Sequence, residues 1–306
     1  MYSFIVNPNA GNGRGKETWR RVEKRLKRLG TAYEVMFTRQ SGDARTFAAE
    51  LTGRDRKPGP IVAVGGDGTL NEVLDGLSFE ASPELGYIPA GSGNDLARSL
   101  RLSANPEAAL KRVLRAGRSR LLDYGVVSYG EAMTHRRFMV SAGIGLDAAV
   151  CQDVMNRKQK PGRRLKLRRL AYVCSGICQL VCCRPARGYL LLDGVQKVEF
   201  NHIYFISAHI HPYEGGGFRM APGADPSDGK LTLCVVHLGK KRKLIPILLG
   251  ALTGGHIRCR GVRVYVCREA EIHMERPMAV HVDGESCQMQ KDLQIRCITQ
   301  QIRMIL

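Results

Sequence analysis

Asp67 is a carboxylate set inside a glycine run, Gly65-Gly66-Asp67-Gly68-Thr69. Before it stands Ile61-Val62-Ala63-Val64, which reads as a buried strand; after it Leu70, Val73, Leu74 and Leu77 fall on one helical face. Strand, glycine turn and helix in that order make an anion site. Glycine lets the backbone close on a ligand, and a helix start offers unpaired N–H groups and a positive dipole end. The ligand expected is a phosphate, and Asp67 stands where a metal or a reacting hydroxyl would lie. Thr69 and Glu72 have capping-box spacing, which puts the helix start close to the turn.

Pro89-Ala90-Gly91-Ser92-Gly93-Asn94-Asp95 is a second glycine loop, and Val282-Asp283-Gly284-Glu285 supplies two further acids. Phosphoryl transfer needs charge neutralisation, in-line positioning and a base for the acceptor hydroxyl. The glycine loops with bound Mg²⁺ serve the first need, with Asp67 and Asp95 as candidate holders of the metal. Glu285 can take the hydroxyl proton if the fold brings it to the phosphate, and Asp283 can hold metal or orient that base. The alternative for Glu285 is a hairpin-turn acid, since Asp-Gly is a strong turn signal. The first loop is not a Walker A motif, because no Gly-Lys-Ser/Thr follows, and it lacks the third glycine of a dinucleotide fingerprint.

The elements that must position these residues alternate through the first 120 residues. Strands are expected at 2–7, 33–37, 61–64 and 85–88, and helices at 16–29, 43–51, 70–77, 95–100 and 106–116. Such alternation predicts a parallel sheet with helices on both faces and a ligand at the carboxyl ends of its strands. The loops after all four strands are rich in Gly, Asn, Ser and Thr: Asn7 to Gly13, Thr38, the run around Asp67 and the run around Ser92. From about residue 121 short β-prone runs recur with turns between them, among them 121–128, 137–141, 188–192, 198–208, 271–274, 279–282 and 293–299. This predicts a mainly antiparallel β-sandwich, interrupted by a helical segment at 163–183, with the boundary near Asp123-Tyr124-Gly125.

The chain has 306 residues, enough for one large or two ordinary domains, and a formal net charge of +19 that calls for an anionic partner. Its distribution says more. Residues 157–169 hold eight Lys/Arg and no acid, and an apolar stretch follows to Cys183. That combination predicts an interfacial element on an anionic membrane rather than a nucleic-acid stripe, which would interleave aromatics. Lys240-Lys241-Arg242-Lys243 is a second basic cluster. Met1 to Val6 reads as a first strand rather than a secretory leader, so the ten cysteines are expected reduced. Cys174, Cys178 and Cys182 have helical spacing in an apolar segment and read as small hydrophobes rather than a zinc site. His209 and His211 share a strand face and read as satisfied strand histidines rather than metal ligands.

The two glycine loops together, GGDGTLNE and PAGSGNDLA, resemble those of the diacylglycerol kinase catalytic-domain family, which includes bacterial lipid kinases and sphingosine kinases and is more distantly related to NAD kinases. The resemblance extends through Asn7-Pro8-Asn9-Ala10-Gly11, the crossover run Phe138 to Asp147 (with Ser141 where the family often has Asn), Gly215-Gly216-Gly217 to Ala221-Pro222, Asp228-Gly229 and Asp283-Gly284-Glu285. It implies ATP bound by Asn7, Thr38, Gly65, Gly66, Asp67, Gly68, Thr69, Asn71, Glu72, Gly91, Ser92, Asn94 and Asp95. It implies Glu285 as proton acceptor, and a second-domain Mg²⁺ on the Asp228 carboxylate with the carbonyls of Asp225 and Lys230.

The resulting expectation is an ATP-dependent lipid kinase with diacylglycerol or a related lipid as acceptor. Residues 1–124, with a tail of about 291–306 returning, would bind nucleotide, and 125–290 would hold the lipid. The partners expected are the lipid and an anionic membrane surface met through 157–183, at the inner face of the membrane, with no nucleic acid; a homodimer is compatible with this. An NAD kinase-like phosphotransferase and a non-enzymatic nucleotide-regulated binding protein are the alternatives.

Overall fold

The computed structural model describes residues 1–53, 58–115, 119–158 and 182–306. The first half runs β1 (Tyr2–Val6), α1 (Ala10–Leu29), β2 (Tyr33–Phe37), α2 (Asp43–Leu51), β3 (Ile61–Gly65), α3 (Asp67–Gly76), β4 (Glu84–Pro89), α4 (Asp95–Ser99) and α5 (Pro106–Val113). β1 pairs in parallel with β2 and β3, and β3 in parallel with β4. Side chains two apart share a face, and the burial follows that rule. Phe4, Val6, Val62, Val64 and Ile88 pack under Trp19, Val22 and Leu26 of α1 and Leu110 of α5. Ile5, Ile61, Ala63, Leu85 and Tyr87 pack under α2, α3 and α4.

The second half runs β5 (Ser119–Tyr129), β6 (Thr134–Phe138), β7 (Ser141–Gly145), α6 (Leu146–Lys158), β8 (Ala186–Leu192), β9 (Gln196–His209), β10 (Leu231–His237), α7 (Leu244–Ala251), β11 (Val262–Cys267), β12 (Glu269–Val282) and β13 (Glu285–Ile305). The pairings of β5–β6, β7–β9, β8–β9, β9–β10, β10–β11 and β12–β13 are antiparallel. An apolar core gathered around Phe138, Ile144, Leu190, Ile206, Leu233 and Val280 lies between these strands. β5 and β13 tie the halves together: β13 pairs antiparallel with β5 and ends parallel to β4, with Arg303 opposite Glu84.

Several elements differ from the sequence reading. α3 starts at Asp67, not beyond it: Gly66 is the N-cap in extended conformation, and no side chain caps the helix. Thr69 therefore sits inside the first turn, where its hydroxyl accepts from Asn7 Nδ2 at 3.0 Å, and the Thr69–Glu72 capping box does not form. The run 137–141 is not one strand, because β6 ends at Phe138 and β7 begins at Ser141. Runs 271–274 and 279–282 are one strand, β12, whose pairing with β13 shifts between His273 and Met278, around Pro277, which has no N–H for the ladder. Run 293–299 is the middle of a 21-residue strand. The boundary expected at 123–125 falls inside β5. The helical segment expected at 163–183 and the membrane-binding segment expected at 157–183 lie almost wholly outside the described residues.

Candidate active site

The loops after β1, β3 and β4 meet at the carboxyl edge of the parallel strands. Ala90 N–H and Gly91 N–H donate to Gly65 O at 2.6 and 3.0 Å. A Cβ on Gly91 would lie 2.4 Å from the Cα of Gly66, so the two glycine loops touch backbone to backbone and admit no side chain between them. Asn7 joins them: its amide donates to Thr69 and its Oδ1 accepts from Asn9 N–H at 3.0 Å. Arg14 Nη2 donates to Gly91 O from the other side. The result is a concave backbone surface over the start of α3, whose first-turn N–H groups have no partners within the helix.

Asp67, the first residue of α3, also serves α4. Its Oδ2 accepts from Asp95 N–H at 3.0 Å and its Oδ1 from Leu96 N–H at 3.3 Å, so one carboxylate caps the next helix. Asp95 pairs with Arg98, and its Oδ2 accepts from Gly216 N–H at 2.7 Å, which draws the Gly215-Gly216-Gly217 loop to the cleft. Burial, and then the charge of Asp95, push the Asp67 carboxyl up to about 7. Burial raises Asp95 as well. Arg98 answers the charge of Asp95 alone, whereas Asp67 has only backbone N–H partners; a divalent cation would supply the positive charge that Asp67 lacks. The pair therefore fits an oxygen-bound Mg²⁺.

Asp283 and Gly284 form the two-residue turn between β12 and β13, both with positive φ (46° and 83°). This is the hairpin that Asp-Gly predicts. Asp283 Oδ1 accepts from Val140 and Ser141 N–H, each at 2.9 Å, and Oδ2 from Met139 N–H at 2.8 Å. Asn71 Nδ2 adds a fourth bond at 2.9 Å. With both oxygens engaged, Asp283 clamps the passage from β6 to β7 and serves as a positioning group, not as a free reacting one. Glu285 begins β13, and its Oε1 stands 3.7 Å from where a Cβ on Gly68 would lie. Its Oε2 accepts from Arg136 Nη2 at 2.8 Å, and Arg136 also pairs with Asp75 of α3 at 3.5 Å.

Asn7, Gly65, Gly66, Asp67, Gly68, Thr69, Gly91, Asn94, Asp95 and Glu285 thus gather around one cleft. Asn94 holds its loop through Gly91 O at 3.1 Å. Ser92 is exposed at the tip of that loop, and Thr38 is buried at the end of β2, where its N–H donates to Val6 O at 2.9 Å. Asn71 is fully buried, and its amide bonds Arg137 O and Asp283 instead of lining the loops. Glu72 accepts from Ser41 Oγ at 3.0 Å and steadies the entry to α2. Asp225, Asp228 and Lys230 occupy a separate loop packed on β5: Asp123 Oδ2 accepts from Gly229 N–H at 2.7 Å, and Asp228 Oδ1 from Lys230 N–H at 3.0 Å.

Sequence reasoning passed over a second polar cluster. Asp147, Glu214 and His281 present ligand atoms within 4.8 Å of one another, the one such group among the described residues. His281 Nε2 is 3.0 Å from Glu214 Oε1 and 3.4 Å from Asp147 Oδ2. A Cβ on Gly143 would stand 2.1 Å from Asp147 Oδ2, so that glycine makes room for the cluster. Burial holds Asp147 up, whereas Glu214, though buried, is held down by His281. The only signal in the sequence is that Asp147 closes one glycine-rich run and Glu214 opens another. His209 lies beside the cluster, 3.5 Å from Glu214 Oε2, while His211 Nδ1 bonds Ser99 Oγ at 2.8 Å.

The family model described as the diacylglycerol kinase catalytic domain matches residues 1–127, and the YegS C-terminal NAD kinase beta sandwich-like domain matches 139–306. Diacylglycerol kinase of Bacillus subtilis is 27% identical over 283 residues, covering 92% of this chain and 88% of that protein. Diacylglycerol kinase of Mycobacterium tuberculosis is 28% identical over 283 residues, covering 92% and 87%. A crystal structure of a diacylglycerol kinase from Bacillus anthracis covers 100% of this chain and 96% of its own, with a TM-score of 0.71 at 20% identity, a likeness of fold.

Proposed function

The chain belongs to the diacylglycerol kinase catalytic-domain family, and from that premise we propose that it is an ATP-dependent kinase that phosphorylates the free hydroxyl of diacylglycerol or a related lipid. The observation that carries this reading is the approach of Glu285 to the start of α3. An acid from the far end of the chain stands over the nucleotide loops, where an acceptor hydroxyl and a γ-phosphate would meet.

In this reading the ATP phosphates lie on the first turn of α3 and the two glycine loops, where backbone N–H groups meet their charge. Asp67 and Asp95 would hold the Mg²⁺ that neutralises phosphate charge. Glu285 accepts the proton of the lipid hydroxyl as its oxygen forms the new P–O bond; the bond to the bridging oxygen breaks, and ADP leaves. Arg136 keeps Glu285 Oε2 occupied, so that Oε1 faces the helix start. The loop pinned to Asp123 would carry the second Mg²⁺ on Asp228 and the carbonyls of Asp225 and Lys230. Its acceptor being a membrane lipid, the protein would work as a peripheral protein at the inner face of the membrane. Among the described residues no helix is long and apolar enough to cross one.

The test is incubation with labelled ATP, Mg²⁺ and diacylglycerol in mixed micelles, beside a panel of other lipid alcohols and NAD. Labelled phosphatidic acid, or another phosphorylated lipid, is the expected product. Label in NADP alone, or in nothing while the protein is folded, would overturn the reading.

A further inference from the structure

No acid occurs between Gly229 and Arg268, a stretch that carries nine Lys/Arg. Its centre is α7, with the sequence LIPILLGA. The helix buries Leu244, Ile247 and Ala251 against one face of β10 and β11, where they meet Cys234, Val236 and Val262. The opposite side remains in solvent: Ile245 is 56%, Leu249 63% and Leu252 52% exposed. These positions are four and three residues apart, so they share one helical face. Val264 and Val266 are also exposed and follow Val262 at strand spacing, which puts them on the sheet face that α7 covers. Single exposed aliphatics are ordinary; an apolar helix face continued by a valine pair is a patch. Lys240, Arg242 and Lys243 lead into the helix, and Arg258 and Arg260 follow it, all exposed.

We propose that α7 and its basic flanks are the surface by which this protein inserts into anionic lipid bilayers. The proposal deepens the lipid-kinase reading and rests on it, because a kinase acting on a bilayer lipid must bring its cleft to the interface. Aliphatic side chains enter the acyl boundary while the cations remain among anionic headgroups. The other occupants fit less well. A second copy of this chain would set cations against cations. Nucleic acid would match the charge but has no use for aliphatic side chains without stacking aromatics.

The position of the patch fits the task. Gly216 N–H bonds Asp95 in the cleft, and Arg219 N–H, three residues on, donates to Ala251 O at the end of α7 at 2.7 Å. Three residues span at most about 11 Å, so the C-terminal end of α7 lies close to the Asp95 side of the site.

The experiment measures binding without nucleotide, using vesicles of phosphatidylcholine alone or mixed with phosphatidylglycerol, both free of diacylglycerol. The wild type should co-float with the mixed vesicles and not with the neutral ones. The variant Lys240→Glu/Arg242→Glu/Lys243→Glu should bind on the order of 100-fold more weakly, and Ile245→Ser/Leu249→Ser/Leu252→Ser at least about tenfold more weakly. Because the chain has one tryptophan, the buried Trp19, Leu249→Trp provides a reporter that needs no loss of function. Its emission should shift to the blue with mixed vesicles and be quenched by brominated lipid. Equal binding by the wild type and both triple variants, or no shift for Leu249→Trp, would overturn the proposal. So would a shift that follows protein concentration without vesicles, which would mark self-association. Phosphorylation of detergent-dispersed acceptor without vesicle binding would sink this proposal alone. Vesicle binding without any phosphorylation would sink the kinase reading alone.

Discussion

Asn71 and Asp283 stand 212 residues apart in the chain and are joined by a hydrogen bond of 2.9 Å, from Asn71 Nδ2 to Asp283 Oδ2. Asn71 belongs to the helix that starts at the glycine loop, and Asp283 to the turn that carries Glu285. The bond therefore sets the distance between the phosphate-binding helix start and the acid proposed as base. Three backbone N–H groups hold the same carboxylate, so the link is stiff.

Replacing Glu285 by Gln removes the proton acceptor and keeps the side-chain shape. Turnover should fall by about 10²–10⁴ while nucleotide affinity changes little. Steady-state kinetics beside equilibrium nucleotide titration check this, and near-normal turnover would remove Glu285 from its role.

Arg136→Gln should act through Glu285 rather than on nucleotide. The Arg136–Glu285 pair is largely shielded, and its loss frees the acid to leave the helix start. We expect kcat to fall by about 10–100-fold with nucleotide affinity unchanged, because placement of a reacting group is worth factors of that order. Partial recovery in Arg136→Lys, measured in the same assay, would separate positioning from a general loss of structure.

Gly91→Ala should abolish nucleotide binding. Its Cβ would meet the Gly66 backbone at 2.4 Å, so one of the two loops must move. Calorimetric titration should show no binding, and thermal unfolding a loss of about 1–3 kcal/mol. Gly223→Ala, where a Cβ meets nothing within 4 Å, is the control.

His211 is fully buried, and burial pushes its imidazole down to about 3. The unfolded chain takes up a proton near pH 6.5 that the folded chain refuses, so this group's contribution to stability falls as pH drops below about 6.5. Urea unfolding at pH 7 and pH 5 should show the wild type losing more stability than His211→Asn, by on the order of 2 kcal/mol. Equal losses would contradict it.

Much of the first half is legible as local pattern. The interval Asp43–Leu51 matches its helix end to end, and the strands at 33–37 and 61–64 are recovered within a residue. The start of α3 is not legible in this way because the capping-box spacing of Thr69 and Glu72 is also met by residues inside a first turn, and what engages Thr69 is Asn7 from the loop after β1. In the second half, the sequence pattern divides β12 into two runs and shows only the middle of β13, because strand length there follows from neighbours, not from the alternation of their own residues. Asp147, Glu214 and His281 come from three separate elements and share no spacing that could reveal them.

The sequence by itself determined the βα alternation, the two glycine loops and the acids that suit phosphate chemistry. These are properties of neighbours along the chain, set by side-chain period and by the backbone freedom of glycine. Only the tertiary structure decided that Glu285 faces Gly68, that Asp283 clamps the crossover, and that one side of α7 is left in water. The first two depend on the register of β12 against β7, where Val282 stands opposite Ala142, and on the turn that follows. A slip of one residue in that register would turn each side chain of the strand to the other face. The third depends on which face of an all-apolar helix the sheet happens to cover, a choice no periodicity in LIPILLGA encodes.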